Sequence, residues 1–156
     1  MASRRDQIRM TPDEISDFLD EQKTVNVATI GPNGRPHLVP LWYVPEGEEL
    51  IGWTYAKSQK AKNLERDPHA TLQVEDGVDY QELRGVMFEC DVDVEREPQQ
   101  VAGYGRKLFK RYGGGGDELA PEVVEMVDKQ AEKRIGLRFT PTRTVSWDHR
   151  KLGGTY

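Results

Sequence analysis

Residues 24–44, TVNVATIGPNGRPHLVPLWYV, decide the fold. The first seven alternate apolar and polar side chains with a period of two, the pattern of a half-buried strand. Gly31-Pro32-Asn33-Gly34 interrupts it, and Asn33-Gly34 is a favoured hairpin turn. Residues 36–44 return as a second strand with Pro40 inside it. Proline has no N–H to give to a ladder, so Pro40 marks a sheet edge, a bulge or a place where backbone meets a ligand. Along this strand His37, Val39, Leu41 and Tyr43 share one face, and Leu38, Pro40, Trp42 and Val44 the other.

On the N-terminal side, Thr11-Pro12-Asp13-Glu14 is a helix start, with Thr11 as N-cap, Pro12 in the first turn and Glu14 closing a capping box. Ile15, Phe18 and Leu19 continue at helical spacing to about Gln22. On the C-terminal side, Pro45-Glu46-Gly47-Glu48 turns the chain into a third strand at 49–55, which predicts a three-stranded meander. A short helix follows over Ser58 to Arg66, stopped by Asp67-Pro68, and then strands at 69–75 and 80–95. Cys90, Val92 and Val94 alternate with Asp91, Asp93 and Glu95, one face buried and one wet. Helical patterns at 98–112 and about 119–133 flank Gly113 to Gly116, a flexible joint or a lid. Strands at 134–140 and 142–148 close the chain before Trp147-Asp148-His149-Arg150-Lys151. With about six antiparallel strands, the chain is expected to curl into a mainly β barrel with peripheral helices; an open α+β sheet is the alternative.

Composition narrows the function. The 156 residues suit one domain, spanning 1–156. Acidic side chains (27) outnumber Lys plus Arg (22), a net charge of −5 that argues against nucleic-acid binding through bulk charge. A lone cysteine, Cys90, excludes an internal disulfide and a cysteine metal cage, and His37, His69 and His149 are scattered. MASRRDQIRM at the start lacks the apolar run of a signal peptide, and no stretch approaches a membrane span. A cytoplasmic protein acting on a small molecule, without membrane or nucleic-acid contact, is expected.

The chemistry concentrates at the short helix. Lys60 and Lys62 lie in its first turns, Lys57 just outside, where the helix dipole is already positive. Such lysines gain from an anion, and free N–H groups, the Ser58 hydroxyl and the ammonium groups could converge on a phosphate. From charge pattern alone, a solvated lysine face with Ser58 as a plain cap is the simpler account. Aromatic and aliphatic groups on the neighbouring strands, Trp42, Trp53 and Tyr55 among them, suit a planar ring with a phosphorylated tail, as they also suit ordinary core. A proton-donor reading of His149 yields to a final strand capped by charge, His37 reads as core or pocket lining, and Cys90 as a packed thiol.

The segments VATIGPNGRPHLVPLWYV and ELIGWTYAKSQKAKNLERDPHATL resemble the pyridoxamine 5′-phosphate oxidase-like split-barrel superfamily, and within it the F420-dependent flavin/deazaflavin oxidoreductases. The shared elements are an ATI-x-x-x-G-x-P hairpin, here Ala28 to Pro36, and a K-x-(K/R)-N-L-x-R-D-P helix, here Lys60 to Pro68. The resemblance implies an antiparallel split β-barrel homodimer with two cofactor sites at its interface. It implies that Lys60, Lys62 and Asn63, with Ser58, hold the phosphate or tail. It implies further that Val39, Pro40, Leu41 and Trp42 line the ring, that Trp53 and Thr54 flank the tail, and that Trp147 borders the neighbour's cofactor. Lys57-Ser58-Gln59-Lys60 departs from the arginine-serine-arginine-lysine pattern of the vitamin-synthesising oxidases, which speaks against that activity.

Hydride transfer from reduced F420 to a conjugated or ring-containing substrate is the leading expectation, because the cofactor carries the chemistry and no acid–base constellation is required. FMN in the same fold, as a reductase or oxidase, is one alternative. A non-enzymatic carrier of a phosphorylated or tetrapyrrole-like ligand is the other.

Overall fold

The computed structural model describes residues 1–113, 116 and 118–154. Among these residues seven strands form one antiparallel sheet: β1 (Val25–Ile30), β2 (Pro36–Leu41), β3 (Val44–Glu46), β4 (Glu49–Tyr55), β5 (His69–Asp76), β6 (Arg84–Glu95) and β7 (Arg134–Asp148). Their spatial order is β2-β1-β5-β6-β7-β4-β3. Among the described residues five α-helices surround them: α1 (Arg4–Gln7), α2 (Pro12–Glu21), α3 (Gln59–Arg66), α4 (Pro98–Tyr112) and α5 (Pro121–Ala131). The sheet curls into a half-barrel, the split-barrel fold.

The expected meander does not form. β2 and β3, consecutive in the chain, lie at opposite edges of the sheet, and β4 pairs with β3 and β7 instead of β2. The expected strand over 36–44 breaks at Trp42-Tyr43 because a side chain takes the place of a neighbouring strand. The Tyr112 hydroxyl accepts from the Tyr43 N–H at 2.9 Å and donates to the Tyr43 carbonyl at 2.7 Å. The curl still brings the two edges together, since a Cβ on Gly52 of β4 would stand 3.0 Å from Leu41 and 3.1 Å from the Trp42 carbonyl. Pro40 therefore sits on an edge strand, as its missing N–H requires.

Other elements follow their sequence signals, with shifted ends. Thr11 caps α2 in a complete capping box with Glu14. The β1–β2 loop runs from Gly31 to Arg35: the turn centres on Pro32-Asn33, and Gly34 supplies the left-handed residue (φ 77°) after it. Residues 80–82 form a 3₁₀ turn, so β6 starts at Arg84. The two closing strands are one, β7, with a register shift opposite Glu89/Cys90 near Pro141. The second late helix is shorter than 119–133, and α1, capped by Ser3 and Asp6, had no apolar periodicity to announce it. Of the glycine joint, Gly114, Gly115 and the adjacent Asp117 lie outside the described residues.

Two apolar clusters hold the fold. The inward faces of β1, β5, β6 and β7 fill the half-barrel with residues such as Val27, Leu72, Val86 and Leu137. α2 closes one end through Phe18 and Leu19, and α3 adds Ala61 and Leu64. Tyr43 reaches into this core, its hydroxyl donating to the Leu19 carbonyl at 2.6 Å; burial pushes its phenol well above the ordinary range. A second cluster lies outside the barrel, where α4 and α5 cover Trp53. A Cβ on Gly105 would stand 2.3 Å from the Trp53 ring, so only glycine lets α4 pack this closely.

Candidate functional site

α3 starts where β4 ends, and its first residues build the site. Ser58 caps the helix, its hydroxyl accepting the Ala61 N–H at 3.1 Å and standing 3.3 Å from the Thr54 hydroxyl. Thr54 and Lys60 are both buried. Lys60 is only 5% exposed, yet among the described residues it has no hydrogen-bond or ion-pair partner. Burial alone holds its ammonium below the ordinary lysine value. An unpaired ammonium on a buried stem, in the first turn of a helix and beside N–H groups without intrahelical acceptors, could meet an anion there.

Asn63 lies three residues on, on the same helix face. It is fully buried, and both ends of its amide are used: Nδ2 donates to Thr29 Oγ1 at 3.0 Å, and Oδ1 accepts from Gln59 Nε2 at 2.8 Å. Asn63 thus ties α3 to β1, and Arg66 adds a second tie by donating to the Ile30 carbonyl. Lys62 and Lys57 are exposed, the solvated face that charge pattern alone suggested.

The strand residues divide. On β2, Val39 and Leu41 are half-buried and point inward, while Pro40 and Trp42 are exposed on the outer face, Trp42 stacked on Tyr112 at 4.3 Å. One ring cannot meet side chains from both faces, but it can meet the edge backbone and the outer pair. Trp53 is corrected: it does not flank the mouth of the site but lies in the cluster under α4, edge-on to Phe109 at 6.4 Å. Its position on β4 puts it opposite in facing to Thr54, which does face Ser58. Trp147 is half-buried on the outer face, its ring over Gly85, its cross-strand partner. His149 donates its Nδ1–H to the Tyr80 carbonyl at 2.8 Å and packs edge-on to the Tyr80 ring, a tail contact.

The sequence did not single out the cleft between the β1–β2 loop and α3. It measures about 650 Å³ and is lined by Gly31, Asn33, Arg35, His37 and Gln59 among others. The Nδ1 atom of His37 is buried there without a hydrogen-bond partner. The signal available was the hairpin itself, whose tip must fold back toward the helix that follows β4. Among the described residues no group of three or more His, Cys, Asp or Glu side chains could hold a metal ion, and no helix is long and apolar enough to cross a membrane.

Comparison with solved structures supports the same fold. A conserved hypothetical protein of Mycobacterium tuberculosis is 42% identical over 99% of this chain and 95% of that one, with a TM-score of 0.89. An F420 reductase is 23% identical over 83% of this chain and 94% of its own, with a TM-score of 0.63. HutZ, the heme storage protein of Vibrio cholerae, is 20% identical over 86% and 94%, with a TM-score of 0.67. No curated protein sequence matches significantly. The sequence profile described as pyridoxamine 5′-phosphate oxidase matches residues 11–148, from the cap of α2 to the last residue of β7. The hairpin, the α3 helix and the curled sheet all fall within that match, and the chain belongs to the pyridoxamine 5′-phosphate oxidase family.

Proposed function

We propose that this protein is an oxidoreductase that binds coenzyme F420 and passes a hydride to a small conjugated or ring-containing substrate. The observation that carries the anion site is Lys60, buried, unpaired and set in the first turn of α3. A phosphate there would meet its ammonium, the first N–H groups of α3 and the hydroxyls of Ser58 and Thr54. Lys57 and Lys62 would add positive field from the rim, and Asn63 would act by holding the helix in place. Bound in this cradle, reduced F420 would supply the hydride. The chain's own residues bind, orient and exclude water.

A homodimer is part of the reading. By register, Leu38, Ala28, Thr71 and Glu89 form one row across β2, β1, β5 and β6 on the outer face. Leu38 is 65% and Trp42 53% exposed there, two large apolar side chains on one face of an edge strand. A second copy would cover it and bring its own Trp147 toward the β2 edge.

The test is a titration of the purified protein with F420 and with FMN, followed by fluorescence and absorbance. Saturable F420 binding, weakened in Lys60→Met, is expected, with oxidation of the reduced cofactor when an enone acceptor is added. A yellow preparation that retains FMN and ignores F420 would replace F420 with FMN. Tight binding without turnover of any acceptor would make the protein a carrier.

A further inference from the structure

We propose that Tyr112, the last residue of α4, is a positioning residue that acts through Trp42: it sets the end of the β2 edge against which the cofactor ring lies. The inference rests on the F420 reading above. β2 has a ladder partner on one side only, β1, and that ladder ends at the pair Val25 and Leu41. On its other side it meets β4 across the seam of the half-barrel by packing, without strand pairing. Pro40 and Trp42, the outer pair offered to the ring, therefore stand where the sheet stops holding the chain. The backbone groups beyond Leu41 must find partners elsewhere.

Tyr112 supplies them from outside the barrel. Its hydroxyl takes the Tyr43 N–H, and its single proton lies between the carbonyls of Tyr43, at 2.7 Å, and Lys23, at 2.8 Å. Its ring lies parallel to the Trp42 ring, 5° between the planes. Tyr112 is itself held in place. The neighbouring Arg111 donates to the carbonyls of Leu19 at 2.9 Å and Gln22 at 2.8 Å, at the end of α2, with its guanidinium 5.6 Å from the Tyr112 ring centre.

Two locks then act on one short segment. Tyr43 fixes the backbone from inside the core through its bond to Leu19. That bond leaves the Trp42 side chain free to turn, and among the described residues its ring contact is the stack on Tyr112. None of the groups that hold Tyr112 belongs to the anion site. Pro36, at the other end of β2, lines the cleft with Gln59 of α3. From Pro36 to Trp42 the extended chain covers about 20 Å. The phosphate end and the ring end of the site are thus set by different elements, α3 and α4, and their effects should separate.

The experiment records time-resolved fluorescence anisotropy and Kd for F420 on the wild type, Tyr112→Leu, Tyr112→Phe and Lys60→Met, with the anisotropy read at saturation. The wild-type ring should turn with the protein as one body. Tyr112→Leu should add a fast local motion of the bound ring and weaken Kd about twofold to tenfold, the worth of an aromatic pair. Tyr112→Phe, which keeps the stack and loses the hydroxyl, should show a smaller fast component. Lys60→Met should weaken Kd and leave the bound ring immobile. A ring as immobile on Tyr112→Leu as on the wild type, with Tm alone lowered, makes Tyr112 a structural residue and overturns the inference, as does a wild-type ring that already moves freely. Should Tyr112→Leu not fold, Tyr112→Phe carries the test, and the same results decide it. Both overturning results leave the α3 site standing. Failure of the wild type to bind F420 overturns the F420 reading and this inference together.

Discussion

Replacing Lys60 with methionine tests the anion site most sharply, because two measured quantities should move in opposite directions. Methionine keeps the unbranched stem that packs beneath α3 and removes only the ammonium. Drawing an ammonium away from most of its water without giving it a partner costs about 1–3 kcal/mol, and for a chain of this size each kcal/mol shifts Tm by about 2–4 °C. The ligand-free variant should therefore melt a few degrees higher. Its pH profile should change too. The folded-state pKa of Lys60 is depressed by burial below its ordinary 10.5. Below that depressed value the penalty is full and constant. Between it and 10.5 the unfolded chain keeps a proton that the folded chain has released, so wild-type stability rises with pH. Lys60→Met should lack that rise. Cofactor affinity should fall, since a charge-assisted contact is worth about 1.5–3 kcal/mol, or about tenfold to 150-fold in Kd. Thermal melts from pH 7 to 10.5 and a fluorescence titration read both sides. A variant that is less stable and binds the cofactor as well as wild type would refute the reasoning, because Lys60 would then be a packing residue.

Ser58→Ala removes the cap that accepts the Ala61 N–H and should cost about 1 kcal/mol by denaturant melt, with weaker cofactor binding by titration. Gly105→Ala drives a methyl group into the Trp53 ring and to 2.8 Å from Val127; it should destabilise by about 1–3 kcal/mol without altering the affinity of the folded protein. Leu38→Arg places a charge on the bare outer face and should halve the mass of 17.8-kDa-subunit dimers in light scattering while leaving each chain folded.

The hairpin, the capping box and the helix at Ser58 were legible because each is a local signal with a local cause. What escaped the sequence was long-range. Nothing in PHLVPLWYV shows that Tyr112, far along the chain, will satisfy both backbone groups of Tyr43 and end the strand. With the strand cut there, the next one was free to join the opposite edge, and the meander failed. Trp53 was misplaced for a related reason. An aromatic beside a phosphate site and an aromatic under a helix look alike until Gly105 is known to lie against it. The lysines divided on burial: Lys60 and Lys62 differ by two residues, hence about 200° around the helix, so they cannot share an environment.

Asn63 shows how the fold makes the site, and it yields a prediction that separates two roles. β1 and β4 stand three strands apart in the sheet, with β5, β6 and β7 between them. α3 touches both, through Asn63 to Thr29 of β1 and through Ser58 to Thr54 of β4. Only the curl of the sheet makes that possible, so the cradle forms where the half-barrel turns back on itself. Asn63→Leu leaves the Thr29 hydroxyl, 1% exposed, without this partner and should cost about 1–3 kcal/mol. Adding Thr29→Val removes both members of the pair and should recover much of the loss. If Asn63 acts by holding α3 in place, cofactor affinity should fall and recover with stability along this series. If affinity falls and stays low in the stabilised double variant, Asn63 contacts the ligand itself, as the resemblance first placed it, and the tie to Thr29 is secondary.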